Sequence, residues 1–311
     1  MRRRIDGGGA ARNLYLEAPP DAQQMIAAFD VLVRQTPLVR FGHALANAQL
    51  AAALAEAPTA WLLDLGVGTG VQLEALMHEL SVRGVERIDI VAVDLPAPGA
   101  DPTAKLRAVG DRLKALGRSI GLSVRLHPVA EPAEHFEPQR WLPAGSGPCV
   151  NAALMLHHLQ EPDRRRVLQR IKACAPRLLT LIEPDVDHHQ VEFLPRVRQC
   201  LAHFGAVFEV LDGCLQAHPA ERGIIERAFF GREIENIIAH EAEARHERHE
   251  RRGRWWARLS QLGFSPLPCS TPVDRPFDDD LRVVVERGGD TLCWRDVPLV
   301  TVSAWRPGVA S

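Results

Sequence analysis

The chain has 311 residues, with 37 Lys and Arg against 39 Asp and Glu, a formal net charge of −2, and 46% hydrophobic residues. Such a length admits one large or two ordinary domains with an ample core, and the balanced charge excludes a global basic field that would draw nucleic acid. Six cysteines, at positions 149, 174, 200, 214, 269 and 293, include no Cys-x-x-Cys pair, which favours reduced thiols in a cytoplasmic protein over zinc fingers or a disulfide framework. Met1-Arg-Arg-Arg is followed by no apolar run, and no stretch approaches membrane-spanning length, so neither export nor a membrane partner is expected.

Residues 1–20, with Gly7-Gly8-Gly9 and Pro19-Pro20, read as a flexible N-terminus. From Asp21, in N-cap position, Met25, Phe29 and Leu32 recur at helical spacing. Pro37 interrupts that helix, and a second one carries Phe41, His43, Leu45, Asn47 and Gln49 into an alanine-rich run ending before Pro58. These helices, residues 21–57, are expected to roof a site built by the core, residues 58–190.

The core begins with the most telling stretch of the chain. Trp61-Leu62-Leu63-Asp64-Leu65 suits the end of a buried parallel strand, Gly66, Gly68 and Gly70 open a turn, and Leu73, Leu76 and Met77 share a helix face. Glycines there let a ligand approach the backbone, and the helix N-terminus offers free N–H groups to it. A dinucleotide fingerprint would need its third glycine at Val71, so that motif fits poorly. Ile88–Asp94 reads as a second strand ending in an acid, placed where a ribose-binding carboxylate is expected.

Pro96–Pro102 reads as a loop, and Leu106, Val109, Leu113 and Leu116 as a helix stripe that stops at Gly117. Ser123–His127 is a third strand, with Glu131 just beyond it. Pro148–Leu159, containing Asn151, His157 and His158, reads as a fourth strand running into a short helix. Arg177–Asp185 is a fifth, ending in Glu183 and Asp185 with His188 and His189 close behind. Strands four and five thus bring acids and imidazoles to one rim.

From Phe193 a strong three-four repeat (Leu194, Val197, Leu201, Phe204, Phe208, Leu211) and a second helix through Ile224–Ile238 suggest a helical cap insertion over 191–254. Arg164–Arg166 and Arg245–Arg254 are basic clusters; the second, interleaved with Glu243, Glu247 and Glu250, reads as a solvated helix face. Residues 255–311 return to the core: Leu262–Leu267 rejoins the sheet, Leu281–Val285 is helix or strand, and Leu292–Trp294 with Leu299–Trp305 closes a hairpin around Arg295-Asp296. The fold class expected is α/β: a Rossmann-like core, mostly parallel, with a C-terminal antiparallel hairpin and a helical cap.

Asp64-x-Gly66-x-Gly68-x-Gly70 resembles the first motif of class I S-adenosylmethionine-dependent methyltransferases. Several further stretches together resemble the GRAS family, whose best-known members are plant transcriptional regulators: Phe41-x-His43-x-x-Ala46-Asn47, Leu63-Asp64-Leu65-Gly66, Val150-Asn151 with Leu156-His157, and Glu183-x-Asp185-x-Asp187-His188. Gly231-Arg232-Glu233-Ile234-x-Asn236-Ile237, then Glu241 and Glu247-Arg248-His249-Glu250, and finally Ser303-Ala304-Trp305 complete the set. The resemblance implies a methyltransferase-like Rossmann core with a helical cap. The full glycine loop and the lack of a long N-terminal region suggest a bacterial-type member that binds S-adenosylmethionine and releases S-adenosylhomocysteine.

Methyl transfer needs an aligned donor and acceptor and a base, for which imidazole is suited. His157 or His188 is expected as base, with Glu183 or Asp185 orienting it. Asp64, Gly66, Gly68, Gly70, Asp94, Glu131 and Asn151 are expected around the cofactor. His43, Asn47, Arg232, Glu233 and Asn236 are expected toward a small-molecule acceptor, with core packing or a cap-locking ion pair as their plainer roles. Glu183, Asp185, His188 and His189 could together ligate a metal, but closeness in sequence is not convergence in space, so no metal is expected. The reading is therefore a small-molecule O- or N-methyltransferase, with no nucleic-acid partner and a homodimer through the exposed cap face. The alternative is a non-catalytic GRAS-type ligand sensor or regulatory scaffold.

Overall fold

Short apolar runs that alternate between two buried faces make the five parallel strands at the centre of the protein. The computed structural model describes residues 22–57, 60–189, 192–269, 280–286 and 289–308; the N-terminal stretch 1–20 and the Asp21 cap lie outside them. The strands are β1 (Ala60–Leu65), β2 (Arg87–Asp94), β3 (Ser123–Ala130), β4 (Cys149–Ala153) and β5 (Leu178–Pro184). In β1, Leu62 enters the apolar layer on one face with Ile90 and Ala92 of β2. Leu63 and Leu65 enter the layer on the other, with Val91, Val93 and Val150. This is the two-sided burial that parallel strands require.

Three long helices cover the first face or roof it: α2 (Pro37–Ala55), α3 (Val71–Val82) and α4 (Ala104–Ile120). Helix α1 (Ala22–Gln35) stacks outside α2, the break between them falling at Thr36-Pro37, where proline sits in the first turn of α2. Helix α2 comes close to the sheet because Gly42 has no side chain: a Cβ there would lie 2.7 Å from Cγ2 of Ile182. Helix α4 runs past Gly117, where a stop was expected, to a left-handed cap at Gly121. A Cβ on Gly117 would strike the Leu122 carbonyl, so this glycine serves the chain's return into β3 and not helix termination.

The second face is covered by α5 (Glu161–Ala173) and α9 (Arg252–Gln261), with Trp255, Leu259 and Trp305 at its centre. Between β5 and α9 lie α6 (Phe193–Cys214), α7 (Pro219–Ile224), a π-helical turn (Ile225–Phe230) and α8 (Gly231–Ala239). Part of α6 and the π turn pack with α1 and α2 in a separate apolar cluster containing Leu32, Phe41, Val207, Leu211 and Ile225, so both ends of the core's sequence contribute to one cap.

The remaining strands are β6 (Phe264–Leu267), β7 (Leu281–Glu286), β8 (Gly289–Trp294) and β9 (Val297–Pro307). Their order in the sheet is β3-β2-β1-β4-β5-β9-β8-β7, and β6 also pairs with β9. Strand β9 runs antiparallel to β5, with Thr180 opposite Ala304, and meets β8 through a two-residue turn at Arg295-Asp296. The undecided stretch at 281–285 is therefore strand, at the sheet edge. The fold is Rossmann-like and mostly parallel with antiparallel strands at one side. None of the six cysteines is in a disulfide, and burial pushes the thiols of Cys149, Cys200 and Cys269 up to about 12, which leaves these three unreactive.

Candidate functional site

The glycine turn forms as its composition requires. Gly66, Gly68 and Gly70 have φ of 83°, 59° and 78°, a region other residues rarely adopt. Gly66 N–H donates to the Val93 carbonyl at 2.9 Å, tying the turn to the end of β2. Asp94 stands beside it: Oδ2 accepts from Gly68 N–H at 2.9 Å and faces the Lys105 ammonium at 2.9 Å, and Oδ1 accepts from Leu95 N–H at 2.8 Å. A Cβ on Gly68 would meet nothing closer than 3.9 Å, so the backbone there faces open space, whereas Gly66 is already covered by Met155. Glu131 follows β3 directly, one residue beyond the partner of Asp94 in the strand register.

Below the turn, side chains have closed the interior on themselves. Asn151 Nδ2 donates to Asp64 Oδ1 at 2.8 Å and to Gln72 Oε1 at 3.1 Å. Gln72 Nε2 reaches Asn47 Oδ1 at 3.2 Å, Asn47 Nδ2 donates to the Gln72 carbonyl at 3.0 Å, and Thr180 Oγ1 donates to Asn151 Oδ1 at 2.9 Å. All five side chains are buried. Burial pushes the Asp64 carboxyl up to about 7, against the pull of the Asn151 amide. Asn47 and Asn151, expected toward acceptor and cofactor, instead tie α2 and β4 to α3 and β1. Their amides are spent on Gln72, and that of Asn151 on Asp64 and Thr180 as well, because a buried polar group must find a partner. His43, one turn earlier on α2, is half-buried, and burial lowers its imidazole to about 4.

A second polar centre lies where β4 and β5 meet the cap. His157 Nδ1 is 2.5 Å from Glu183 Oε2, while Glu183 Oε1 accepts from Leu156 N–H at 2.9 Å. The other nitrogen of His157 faces Glu247 Oε2 at 3.4 Å, and the same oxygen is 3.5 Å from His158 Nδ1 and 3.3 Å from His249 Nε2. His249 Nδ1 lies 2.8 Å from His188 Nδ1. Burial pulls the His157 imidazole down, but the Glu183 and Glu247 carboxylates outweigh it and raise it to about 10. Burial lowers His158 and His203 to about 3 and holds His188 and His249 down as well. Glu233, across from Glu247, is pushed up to about 8, first by burial and then by its fellow carboxylate.

His157, His188, Glu183 and Glu233 are thus brought together, but Asp185 is not part of the set. Its Oδ1 accepts from Arg252 N–H at 3.0 Å and its Oδ2 from Thr301 Oγ1 at 3.2 Å, so it fixes the start of α9 against β9 and orients no imidazole. Asn236 Oδ1 accepts from the backbone N–H groups of His246 and Glu247 at 2.8 and 2.9 Å, which sets the course of the 245–250 segment. Arg232 sits half-buried on the same helix, α8.

That segment is the largest departure from the sequence reading. Arg245, Glu247, Arg248, His249 and Glu250 are buried, and 245–251 is irregular chain, not a solvated helix face. Arg164, also buried, pairs with Glu250 at 2.8 Å, donates to the carbonyls of Leu156 and Leu159, and stacks on Trp255 at 4.8 Å. Gln72, Thr180, Glu247, His249 and Arg164 are the residues missed as site builders. Only Glu247 and His249 carried any signal, through the Glu-Arg-His-Glu run itself.

Comparison with known proteins places this arrangement. A model of the GRAS domain family matches residues 3–306. The chain belongs to the GRAS domain family. It is similar to GRAS family protein RAD1 of Lotus japonicus, 28% identical over 320 residues, which cover 96% of this chain and 62% of that protein. It is 28% identical over 303 residues to Scarecrow-like transcription factor PAT1 of Arabidopsis thaliana, covering 92% of this chain and 57% of the relative. The chain thus spans about three-fifths of these curated relatives. Among solved structures, SCL7 of Oryza sativa superposes with a TM-score of 0.84 at 27% identity, over 98% of this chain and 86% of that one.

These GRAS relatives correct the expected function. They are plant proteins, one of them named as a transcription factor, so the methyltransferase assignment, the enzyme class and the bacterial-type reading are withdrawn. The small-molecule acceptor and the exclusion of nucleic acid are withdrawn with them, since they rested on the methyltransferase reading and a relative is named a transcription factor. Among the described residues no helix is long and apolar enough to cross a membrane.

Proposed function

We propose that this GRAS chain is a non-catalytic transcriptional regulator, a scaffold that acts through macromolecular partners and not through turnover. The observation that carries this reading is the fate of the expected base. His157 is 4% exposed and is held between Glu183 and Glu247, where no acceptor can reach it, and proton abstraction demands hydrogen-bond reach. The name of one relative, Scarecrow-like transcription factor PAT1, points the same way.

In this reading the glycine turn is a place where S-adenosylmethionine or a similar nucleoside is held as a ligand and read out. The open backbone at Gly68 fits such a group. Lys105, 47% exposed, would have to leave Asp94, at a cost of about 1 kcal/mol or less for a surface ion pair. Reduced thiols suit nucleus and cytoplasm alike, and the proposed place of action is where transcription is controlled.

The test is a reporter assay. The full chain, fused to a heterologous DNA-binding domain and recruited to a reporter gene, is expected to change transcript output, and His157→Gln is expected to leave that change intact in a folded protein. An inert reporter, together with release of S-adenosylhomocysteine by the purified chain, would overturn the proposal.

A further inference from the structure

At the junction of core and cap, a buried carboxylate oxygen, Glu247 Oε2, accepts no hydrogen bond among the described residues. Two imidazole nitrogens of the turn after β4 face it, His157 Nε2 at 3.4 Å and His158 Nδ1 at 3.5 Å. One ligand atom from each of these three side chains lies within 4.8 Å of the other two. Both separations from the carboxylate are long for hydrogen bonds. They match the ligand-to-ligand edges around an ion with bonds of about 2.0–2.1 Å, which run to about 3.3–3.6 Å. We propose that His157, His158 and Glu247 form a three-ligand site for a divalent first-row cation of the zinc type, joining the turn after β4 to the 245–250 segment.

Both rings are oriented from behind. Glu183 Oε2, 2.5 Å from His157 Nδ1, holds the proton on that nitrogen and leaves Nε2 as a lone-pair donor. A carboxylate in that position is what orients metal-binding histidines and raises their basicity. The ring of His158 bonds the backbone of His246 and presents Nδ1 to Glu247.

The backbone that carries the ligands is also fixed. Arg248 N–H donates to the His157 carbonyl at 3.2 Å, while Asn236 Oδ1 accepts from the amides of His246 and Glu247 at 2.8 and 2.9 Å. The two chain segments that supply the donors are therefore held against one another without a metal, as a preorganised site requires.

His249 also approaches Glu247 Oε2, with Nε2 at 3.3 Å, but it converges with Glu233 and Glu247 as a separate group. Of the two groups, the one with two imidazoles and one carboxylate is the better zinc site, because zinc takes that donor set with water as its fourth ligand. Magnesium and calcium prefer oxygen alone. The His158 side chain, 25% exposed, brings solvent to the edge of the group. Charge agrees with a cation there: Glu247 lies beside it and Glu183 one imidazole away, both buried, and carboxylates attract a dication strongly where water is scarce. The Arg248 guanidinium, held by the carbonyls of His158 and Glu243, opposes it in part.

The experiment uses the full chain without a histidine tag, loaded with zinc and then dialysed against metal-free buffer. Elemental analysis is expected to find about one zinc per chain, and cobalt loaded in its place is expected to give the visible bands of a four-coordinate ion. His158→Gln and Glu247→Gln should each drop retained zinc below about one-tenth per chain, and Glu183→Gln, which leaves all three ligands in place, should weaken binding roughly 10–100-fold. Glu233→Gln, in the other group, and His203→Ala, a buried histidine outside both, should keep the metal. A folded wild-type chain, verified by circular dichroism, that retains neither zinc nor cobalt would overturn the proposal, leaving a protonated His157 between two carboxylates. Zinc lost in Glu233→Gln but kept in His158→Gln would overturn it too, as would equal loss in His203→Ala and His158→Gln.

Discussion

Asp64 makes the stability of this protein depend on pH in an unusual direction. In the unfolded chain its carboxyl ionises near 3.8; in the fold, burial beneath the glycine turn moves it to about 7. Between those values the native state keeps a proton that the unfolded state has released, so stability falls as pH rises, the reverse of the ordinary paired carboxylate. At about 1.4 kcal/mol per pH unit, this one group removes roughly 2.5 kcal/mol between about pH 5 and about pH 7.5, with little further change above that. The group is 3% exposed, so solvent screening takes little from that figure.

Asp64→Asn retains an oxygen to accept from Asn151 but cannot ionise. Its denaturant-unfolding free energy, measured by tryptophan fluorescence at both pH values, is therefore expected to gain on the wild type by about 2–3 kcal/mol on going from the lower to the higher pH. Every other titrating group cancels in that comparison. A difference between the two proteins that is constant with pH, or that shrinks as pH rises, would refute the assignment of a neutral buried acid at this position.

Gly42→Val should be destabilised by about 1–3 kcal/mol, because the new side chain meets Ile182 where even a Cβ lies at 2.7 Å; thermal unfolding reads this directly. Trp305→Ala removes a fully buried ring at the centre of the second apolar layer and is expected to cost about 3–5 kcal/mol in chemical denaturation. Arg164→Met leaves Glu250 with the more exposed Arg258 and Arg254 and takes a donor from the Leu156 and Leu159 carbonyls. A loss of about 3 kcal/mol or more is expected by the same measurement. Gly68→Val, at φ of 59°, should cost about 1–2 kcal/mol in strain and abolish any heat of S-adenosylmethionine binding in isothermal titration; unchanged affinity would remove the ligand from the glycine turn.

The sheet was legible because its signals are local. A leucine-rich run, a glycine turn and a period of 3.6 residues lie within twenty residues at 60–80, and the same grammar recurs at β2, β4 and β5. The site was legible only in part. Asp64 and Asn151 stood out as polar residues within buried strands, yet nothing in the chain announces that Gln72 and Asn47 arrive to satisfy them, since that depends on how α2 and α3 cross. The stretch 245–250 misled for a physical reason: mixed charges normally stay in water, and here they are buried because Arg164, Arg258 and Asn236 come from distant elements to partner them. Asp185 looked like an orienting acid by proximity to His188, whereas the strand direction at the end of β5 turns it toward Thr301.

The buried course of residues 245–250 also sets how the molecule comes apart. Its backbone amides and carbonyls bond to groups on α5, on α8 and on the loop after β5. Helical cap and parallel sheet therefore share one set of closures, and neither can open without exposing charges the other neutralises. The cap is then a keystone and not a lid: amide exchange at Arg248 and at His188 should proceed through a single opening event, with the free energy of global unfolding.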